Sequence, residues 1–403
     1  MLLHPTSLPG ARLGDEARAF VDWLAAAGQS WWQTLPLGPP DEHGSPYAAR
    51  SAFAADPALL ADPDAPVTGA ERDALRARAG FWLEDWEAFG GDVDMQVRLD
   101  REWGALRAYA RGRGVRLLGD IPIYVAPGGA DHRAHPELFR TGFVAGAPPD
   151  AYSEDGQHWG NPLFDWPAMR RRGYRWWVAR LLRNLELFDA ARIDHFRGFV
   201  AYWAIPEGDE TARRGHWMRG PGAAPFRAMR AALGGDLPLV AEDLGVITEP
   251  VRRLRDELGL PGTVVTQFGF DRDDPGSPHR FDNQVRRAVA YSSTHDSAPA
   301  AGWWAGATGE QRDEALAAFA RAGVAEREPH WAMVDLTLRS RAATAIVQAQ
   351  DLLGLGDEAR MNVPGTEGAP NWRWRLEPGA LDAALARRLR RLSEAAGRAA
   401  GRS

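Results

Sequence analysis

Three apolar runs in this chain each end on acidic residues, and nothing else in the sequence limits the possible folds so strongly. Leu185 to Ala190 leads into Ala191-Arg192-Ile193-Asp194, Leu237 to Ala241 into Glu242-Asp243-Leu244-Gly245, and Ala288 to Thr294 into His295-Asp296. Asp194 and Glu242 stand 48 residues apart, and Glu242 and Asp296 stand 54 apart. One strand-helix unit of an eightfold barrel takes about 30 residues, so each gap fits one or two units plus loops. Carboxylates at the ends of such strands converge on one rim.

The rest of the chain supplies the other strands of such a barrel. Strands are expected at Leu2 to His4, Trp31 to Leu37, Val115 to Val125, the runs ending at Asp194 and Glu242, Val264 to Phe268, the run ending at Asp296, and Ala359 to Val363. Helical patterns lie between them: Phe20 to Ala27 closing at Gly28, Arg101 to Arg111, Tyr174 to Asn184, Val251 to Leu258, and one or two helices within Trp331 to Leu353. The expected fold is therefore α/β, a (β/α)8 TIM barrel with subdomains inserted in the loops at the C-terminal face of its strands. At 403 residues the chain exceeds the roughly 250 of a plain barrel. A single catalytic barrel over 1–403 is expected, with inserted segments at about 40–112, 126–175 and 199–236. The first carries Trp82, Trp86 and Phe89 at helical spacing; the second is a long loop holding Gly156 to Leu163, and loops of that length in a compact domain are commonly functional.

Composition narrows the chemistry. A net charge of −6 gives no reason to expect nucleic acid or an anionic membrane as partner, so the substrate is expected to be neutral. There is no cysteine, hence no disulfide or thiolate metal site, and all 48 basic residues are arginine, which excludes lysine chemistry. The start lacks a signal-like pattern and no apolar run approaches the ~18 residues of a membrane span, so a cytoplasmic location is the default expectation. Seventeen tryptophans are many for this length. Their flat faces suit the C–H face of a pyranose, although most would fill the core.

On a strand, Arg192 and Asp194 project to one side while Ile193 projects to the other. A guanidinium beside a carboxylate favours its charged form and suits a nucleophile, although a structural ion pair is the plainer reading of such a pair alone. The chain has neither a phosphate-binding loop nor a convincing dinucleotide fingerprint. The carboxylates could hold a divalent cation with His195 or His295, but Arg192 disfavours a cation there. Retaining glycosyl transfer or hydrolysis fits better, since it needs one ionised carboxylate and one protonated acid. In that reading Asp194 attacks, Glu242 protonates the departing oxygen once burial and neighbouring acids have raised its pKa, and His295 and Asp296 grip sugar hydroxyls. Asp120, at the end of the third strand, orients a hydroxyl or caps a loop; Tyr47 lines the site or is structural.

Motifs along nearly the whole chain carry a resemblance. They are H-P-T-S-L-P-G at His4 to Gly10, L-P-L-G-P at Leu35 to Pro39, S-P-Y and S-A-F-A within Ser45 to Ala54, and G-D-I-P-I-Y-V-A at Gly119 to Ala126. W-G-N-P-L, A-R-I-D-H-F-R-G-F, A-E-D-L-G-V-I-T, T-H-D, M-N-V-P-G-T and N-W-R-W-R-L follow in order. The chain resembles the amylomaltases, the 4-alpha-glucanotransferase or disproportionating enzyme family. The resemblance implies a (β/α)8 barrel with Asp194 as nucleophile, Glu242 as general acid/base and Asp296 as transition-state stabiliser. It further implies that Arg192, Asp120, His195 and His295 hold sugar, and that Tyr47, Trp159 and Asn362 lie near the glucan-binding groove. It implies transfer of an α-1,4-glucan segment from a maltooligosaccharide or glucan donor to the 4-hydroxyl of glucose or another glucan, without cofactor or metal. Hydrolysis of the same glucans, or glucan binding without catalysis, stand as alternatives. The chain departs from the family in two places. It is shorter between Asp56 and Arg101, where the family has a helical subdomain, and it reads T-H-D-S-A-P where the family reads T-H-D-N-D-T.

Overall fold

A computed structural model of the chain describes residues 1–149 and 153–399. Its strands are β1 (Trp31–Gln33), β2 (Arg116–Ile121), β3 (Phe139–Ala147), β4 (Gln157–Phe164), β5 (Ala190–Ile193), β6 (Ala201–Pro206), β7 (His216–Arg219), β8 (Leu239–Ala241), β9 (Gly262–Val265), β10 (Ala288–Tyr291) and β11 (Thr344–Ile346). The chain divides into two compact units, one of Met1–Thr34, Leu106–Leu118 and Pro261–Ser403, the other of Leu35–Ala105 and Gly119–Leu260. The fold is the expected (β/α)8 barrel type, in which parallel strand positions alternate with helices along the chain.

In the first unit, β1 pairs with the start of β2, and β10 lies between β9 and β11, every pairing parallel. Leu2 bridges in parallel to Gln33 and to Gln348, so the expected first strand is reduced to a single-residue contact. The eighth strand is not where the sequence places it. Thr344–Ile346 pairs with Val289–Tyr291, inside the segment expected to be helical, whereas Ala359 closes the 3-10 turn Asp357–Ala359 and 360–363 is irregular chain. Three residues of Thr-Ala-Ile are too few to show a period of two, so the sequence pattern there is swamped by the helices Pro329–Leu338 and Ala349–Leu353 on either side.

In the second unit, β5 and β8 pair in register, Ala191 with Leu239, Arg192 with Val240 and Ile193 with Ala241. The ladder continues past both strands: Glu242 N–H donates to the Ile193 carbonyl at 3.0 Å, and Asp194 N–H to the Ile121 carbonyl at 3.0 Å. Strands also end earlier than expected. β1 stops before Leu35-Pro36, and β2 stops at Ile121 because Pro122 has no N–H to offer a ladder. Of the strand expected at Val264 to Phe268, only Val264 and Val265 belong to β9; the rest lies in a 3-10 turn, Thr266–Gly269.

The segment expected as a long loop holds two strands of a sheet, β3 and β4, after a short helix and a 3-10 turn. β4, β3, β6 and β7 form a four-stranded sheet in that order with antiparallel pairing, so Trp159 is a strand residue and segments 126–175 and 199–236 meet through β3 and β6. The segment after Asp56 holds the helices Gly69–Ala79, Phe81–Ala88 and Val93–Gly112, with Trp82 and Trp86 buried on the middle one. The core of this unit is aromatic: Trp82, Trp86, Trp166, Trp176 and Trp177 are buried with Phe164, Phe196, Phe199 and Phe226. Gly119 on β2 lets Phe188 pack against the strand, since a Cβ there would lie 2.3 Å from a Phe188 ring carbon. Gly119→Ala should therefore destabilise the fold by about 1–3 kcal/mol, read from the midpoint of urea unfolding at unchanged slope.

Candidate active site

Asp194 follows β5 directly, and the in-register pairing of β5 with β8 sets Glu242 beside it. His195 then turns the chain: its backbone is left-handed (φ 47°, ψ 48°), uncommon for a side chain with a Cβ. That turn aims its N–H at the Glu242 carboxyl, 2.7 Å from Oε2. The Leu244 N–H donates to Oε1 at 2.9 Å. Its neighbour Asp243 points away and pairs with Arg255 at 2.7 Å. A-E-D-L-G thus sends one acid to the site and the next to a structural ion pair.

Arg192 is the cation of this cluster and is 6 % exposed. Its Nη2 lies 2.9 Å from Asp194 Oδ1, the pairing the strand alternation predicts. Its Nη1 donates to both oxygens of Asp120, at 2.9 and 2.7 Å, a contact that bridges 72 residues of sequence and that spacing alone does not reveal. The Asp120 carboxylate has no exposed surface, and the Tyr47 hydroxyl donates to it at 2.8 Å. Asp120 and Tyr47 therefore bear on Arg192, and the Asp120 carboxylate is enclosed between them.

Burial pushes the Glu242 carboxyl up to about 7; Arg192 opposes this, while the Asp194 charge adds to it. The two backbone N–H donors also favour the charged form, but the lost solvation of a buried carboxylate outweighs them. Burial, and secondarily Arg197, drives His195 down to about 3, so its ring is neutral. Trp159 meets that ring edge to face, centroids 4.9 Å apart, and its Nε1 is held by Gln157 Oε1 at 2.9 Å. Among the described residues no group of three or more His, Asp or Glu side chains is placed to hold a metal ion.

In the other unit, Asp296 sits on the turn after β10 with its neighbours closely arranged. Asn362 Nδ2 donates to Asp296 Oδ1 at 2.7 Å, His295 Nε2 lies 3.1 Å from Oδ2, and Arg360 donates to the Asp296 carbonyl at 2.6 Å. The altered T-H-D-S-A-P segment closes its own turn: Ser297 Oγ accepts from Thr294 N–H at 2.9 Å, and Gln348 donates to the Thr294 carbonyl at 2.7 Å. Below it, the buried Asp351 carboxylate accepts from Ser292, Ser293 and the Ala300 N–H.

The structure thus brings together Tyr47, Asp120, Trp159, Arg192, Asp194, His195 and Glu242 in one unit, and His295, Asp296 and Asn362 in the other. Sequence reasoning overlooked Arg197, Arg360, Gln348 and Asp351. Arg197 lies within A-R-I-D-H-F-R-G-F and Arg360 directly precedes M-N-V, so both could have been sought there. Gln348 and Asp351 carry no local signal.

Native Glu242 keeps its proton up to about pH 7, whereas an unfolded glutamate releases it near 4.5. Between those values the native state binds the extra proton, so its share of stability is lost as pH rises. Glu242→Gln has no such loss, and its melting temperature relative to the native protein should climb from pH 4.5 to 7 and then level off. A difference independent of pH would contradict a buried, proton-holding Glu242.

Comparison with known proteins bears on the family and the fold. The family model described as 4-alpha-glucanotransferase matches residues 3–89 and 91–382. A 4-alpha-glucanotransferase of Thermus thermophilus is 38% identical over an alignment covering 98% of this chain and 98% of the relative; one of Synechocystis is 36% identical, covering 99% and 97%. The Thermus alignment runs to 491 positions against a chain of 403 residues, so the relative carries segments without counterpart here. The solved amylomaltase from Streptococcus agalactiae in complex with acarbose superposes with a TM-score of 0.90 at 28% identity, over 99% of each chain. With matching family motifs, barrel fold and near-complete coverage in both directions, the chain belongs to the 4-alpha-glucanotransferase family.

Proposed function

We propose that the protein moves an α-1,4-glucan segment from a maltooligosaccharide or starch-type donor to the 4-hydroxyl of a glucose or glucan acceptor, with retention at the anomeric carbon. The observation that carries this is the pairing of Asp194, held by Arg192, with a buried Glu242 whose pKa is raised to about 7, on adjacent strands in register. Neighbouring strands lie ~4.8 Å apart, which suits the ~5–5.5 Å that retaining chemistry asks of its two carboxyl groups.

In the first step a carboxylate oxygen of Asp194 attacks the anomeric carbon while the Glu242 proton passes to the departing glycosidic oxygen, giving a glycosyl ester and the shortened donor. In the second, Glu242 takes the proton of the acceptor 4-hydroxyl, whose oxygen attacks the anomeric carbon and frees Asp194. Arg192 offers Asp194 a fixed counter-charge before and after the ester, and Asp120 with Tyr47 keeps Arg192 in place. The Trp159 ring offers an apolar wall against which a sugar can exclude water, favouring an alcohol over water as acceptor, and neutral His195 beside it has one ring nitrogen to donate and one to accept a hydrogen bond. The role of Asp296, with His295 and Asn362, in gripping the distorted ring rests on the T-H-D and M-N-V motifs. A cytoplasmic location belongs to the same proposal, supported by kinship with the bacterial relatives.

Purified protein incubated with maltotriose should yield glucose and a ladder of longer oligomers with no rise in total reducing ends. A rise would mean hydrolysis, and an unchanged substrate would leave only glucan binding. Asp194→Asn should lower turnover by more than about 1000-fold. Activity within tenfold of the native protein, an allowance of ~1.4 kcal/mol, would overturn the nucleophile assignment.

A further inference from the structure

We propose that Trp217, Arg197 and Val246 form an additional glucan subsite, which binds a glucose unit beyond those flanking the bond that breaks. This rests on the functional reading above and joins Trp217, which lies outside the motifs quoted above, to two residues within them.

Trp217 is 42 % exposed although tryptophan is the residue most rewarded by burial, and Val246 is 63 % exposed. One side chain joins them: the Arg197 guanidinium lies 4.0 Å from the Trp217 ring centroid, and its Nη1 donates to the Val246 carbonyl at 2.8 Å. Arg197 itself is 9 % exposed, and among the described residues it has no carboxylate partner and its Nε has no hydrogen bond. A buried guanidinium without an anion is a costly arrangement. One hydrogen bond and an aromatic face are the partners it has, and its Nε is shut off from solvent, so Arg197 serves to hold the Trp217 ring and the Val246 loop together.

The patch is also rigid and well placed. Trp217 faces Trp203 across the β6–β7 pair with centroids 5.2 Å apart, and Trp203 is anchored through Nε1 to the Ala212 carbonyl at 2.9 Å. Beyond β7, the N–H groups of Gly220 and Gly222 donate to the Val200 and Phe199 carbonyls, both at 2.8 Å. This ties the strand to the turn that follows Asp194. Arg197 is three residues after Asp194 and Val246 four after Glu242, so the two loops that bear the reacting carboxyl groups also bear this surface. A part-exposed indole and an exposed methyl pair, held side by side by Arg197, match the apolar face of a pyranose.

The test compares kcat/KM for maltotriose and maltoheptaose in the native protein, Trp217→Ala and Val246→Glu. The second variant alters an exposed residue, so it leaves the fold intact, and it places a carboxylate where Arg197 would pair with it. Both variants should lower the maltoheptaose-to-maltotriose ratio about five- to tenfold, and calorimetric binding of maltoheptaose to each variant in an Asp194→Asn background should weaken by a similar factor. Taking the ratio cancels effects on the shared chemistry. An unchanged ratio and unchanged binding, with a native protein that remodels glucans, would overturn the subsite alone. A native protein that neither remodels nor binds either oligosaccharide would overturn the functional reading and the subsite with it.

Discussion

The buried Arg192 guanidinium is the contact on which the arrangement of the second unit depends. One of its amino groups spans both Asp120 oxygens and the other meets Asp194, while Tyr47 closes the far side of Asp120. An ion pair of this kind adds little to stability by itself, because desolvation offsets the Coulomb attraction. Removing one partner, however, leaves a charge buried at a cost of about 3–5 kcal/mol. The ends of β2 and β5 must therefore stay together, and the β5–β8 register then carries Glu242 to the same place. Glu242 is the third carboxyl group around one cation, and it is the one that burial keeps protonated. In the proposed reaction, acid and nucleophile would thus be distinguished by their surroundings alone.

Asp296 is held differently. There the turn is set by hydrogen bonds to the backbone and the carboxylate, with Asn362 on the carboxylate, Arg360 on the Asp296 carbonyl and Gln348 on the carbonyl of Thr294, two residues before. The buried Asp351 beneath gathers both serines at the end of β10 and the first N–H of the helix Ala300–Gly306. The replacement of polar family residues by Ser297-Ala298-Pro299 is accommodated because Ser297 satisfies Thr294 within the turn and Gln267 donates to the Ala298 carbonyl at 2.7 Å. The orientation of Asp296 draws on residues that the departure does not touch.

Long apolar runs ending on acids were legible because the period of a buried strand and the polarity of its end are local properties. Asp194, Glu242 and Asp296 could be picked out, and the Arg192–Asp194 contact followed from alternation along one strand. Short elements were not legible. Thr344–Ile346 is a strand only because Val289–Tyr291 offers it a partner, and Leu2 counts as a strand position only through Gln33 and Gln348. Trp159 was read as loop because β4 contains Gly160 and Pro162, which weaken a strand pattern, and pairing with β3 overrides them.

The sequence by itself determined the fold class and the family and singled out three acids as candidates, since each is written in residue types at fixed places along a run. Only the tertiary structure decided which group serves which. Asp120 holds Arg192, Asn362 holds Asp296, and Arg197 joins Trp217 to Val246, through contacts spanning 72, 66 and 49 residues for the hydrogen bonds among them. The raised pKa of Glu242 is likewise a property of its surroundings. Desolvation and charge pairing act through space over a few ångströms, and nothing in the linear spacing of residues records that distance.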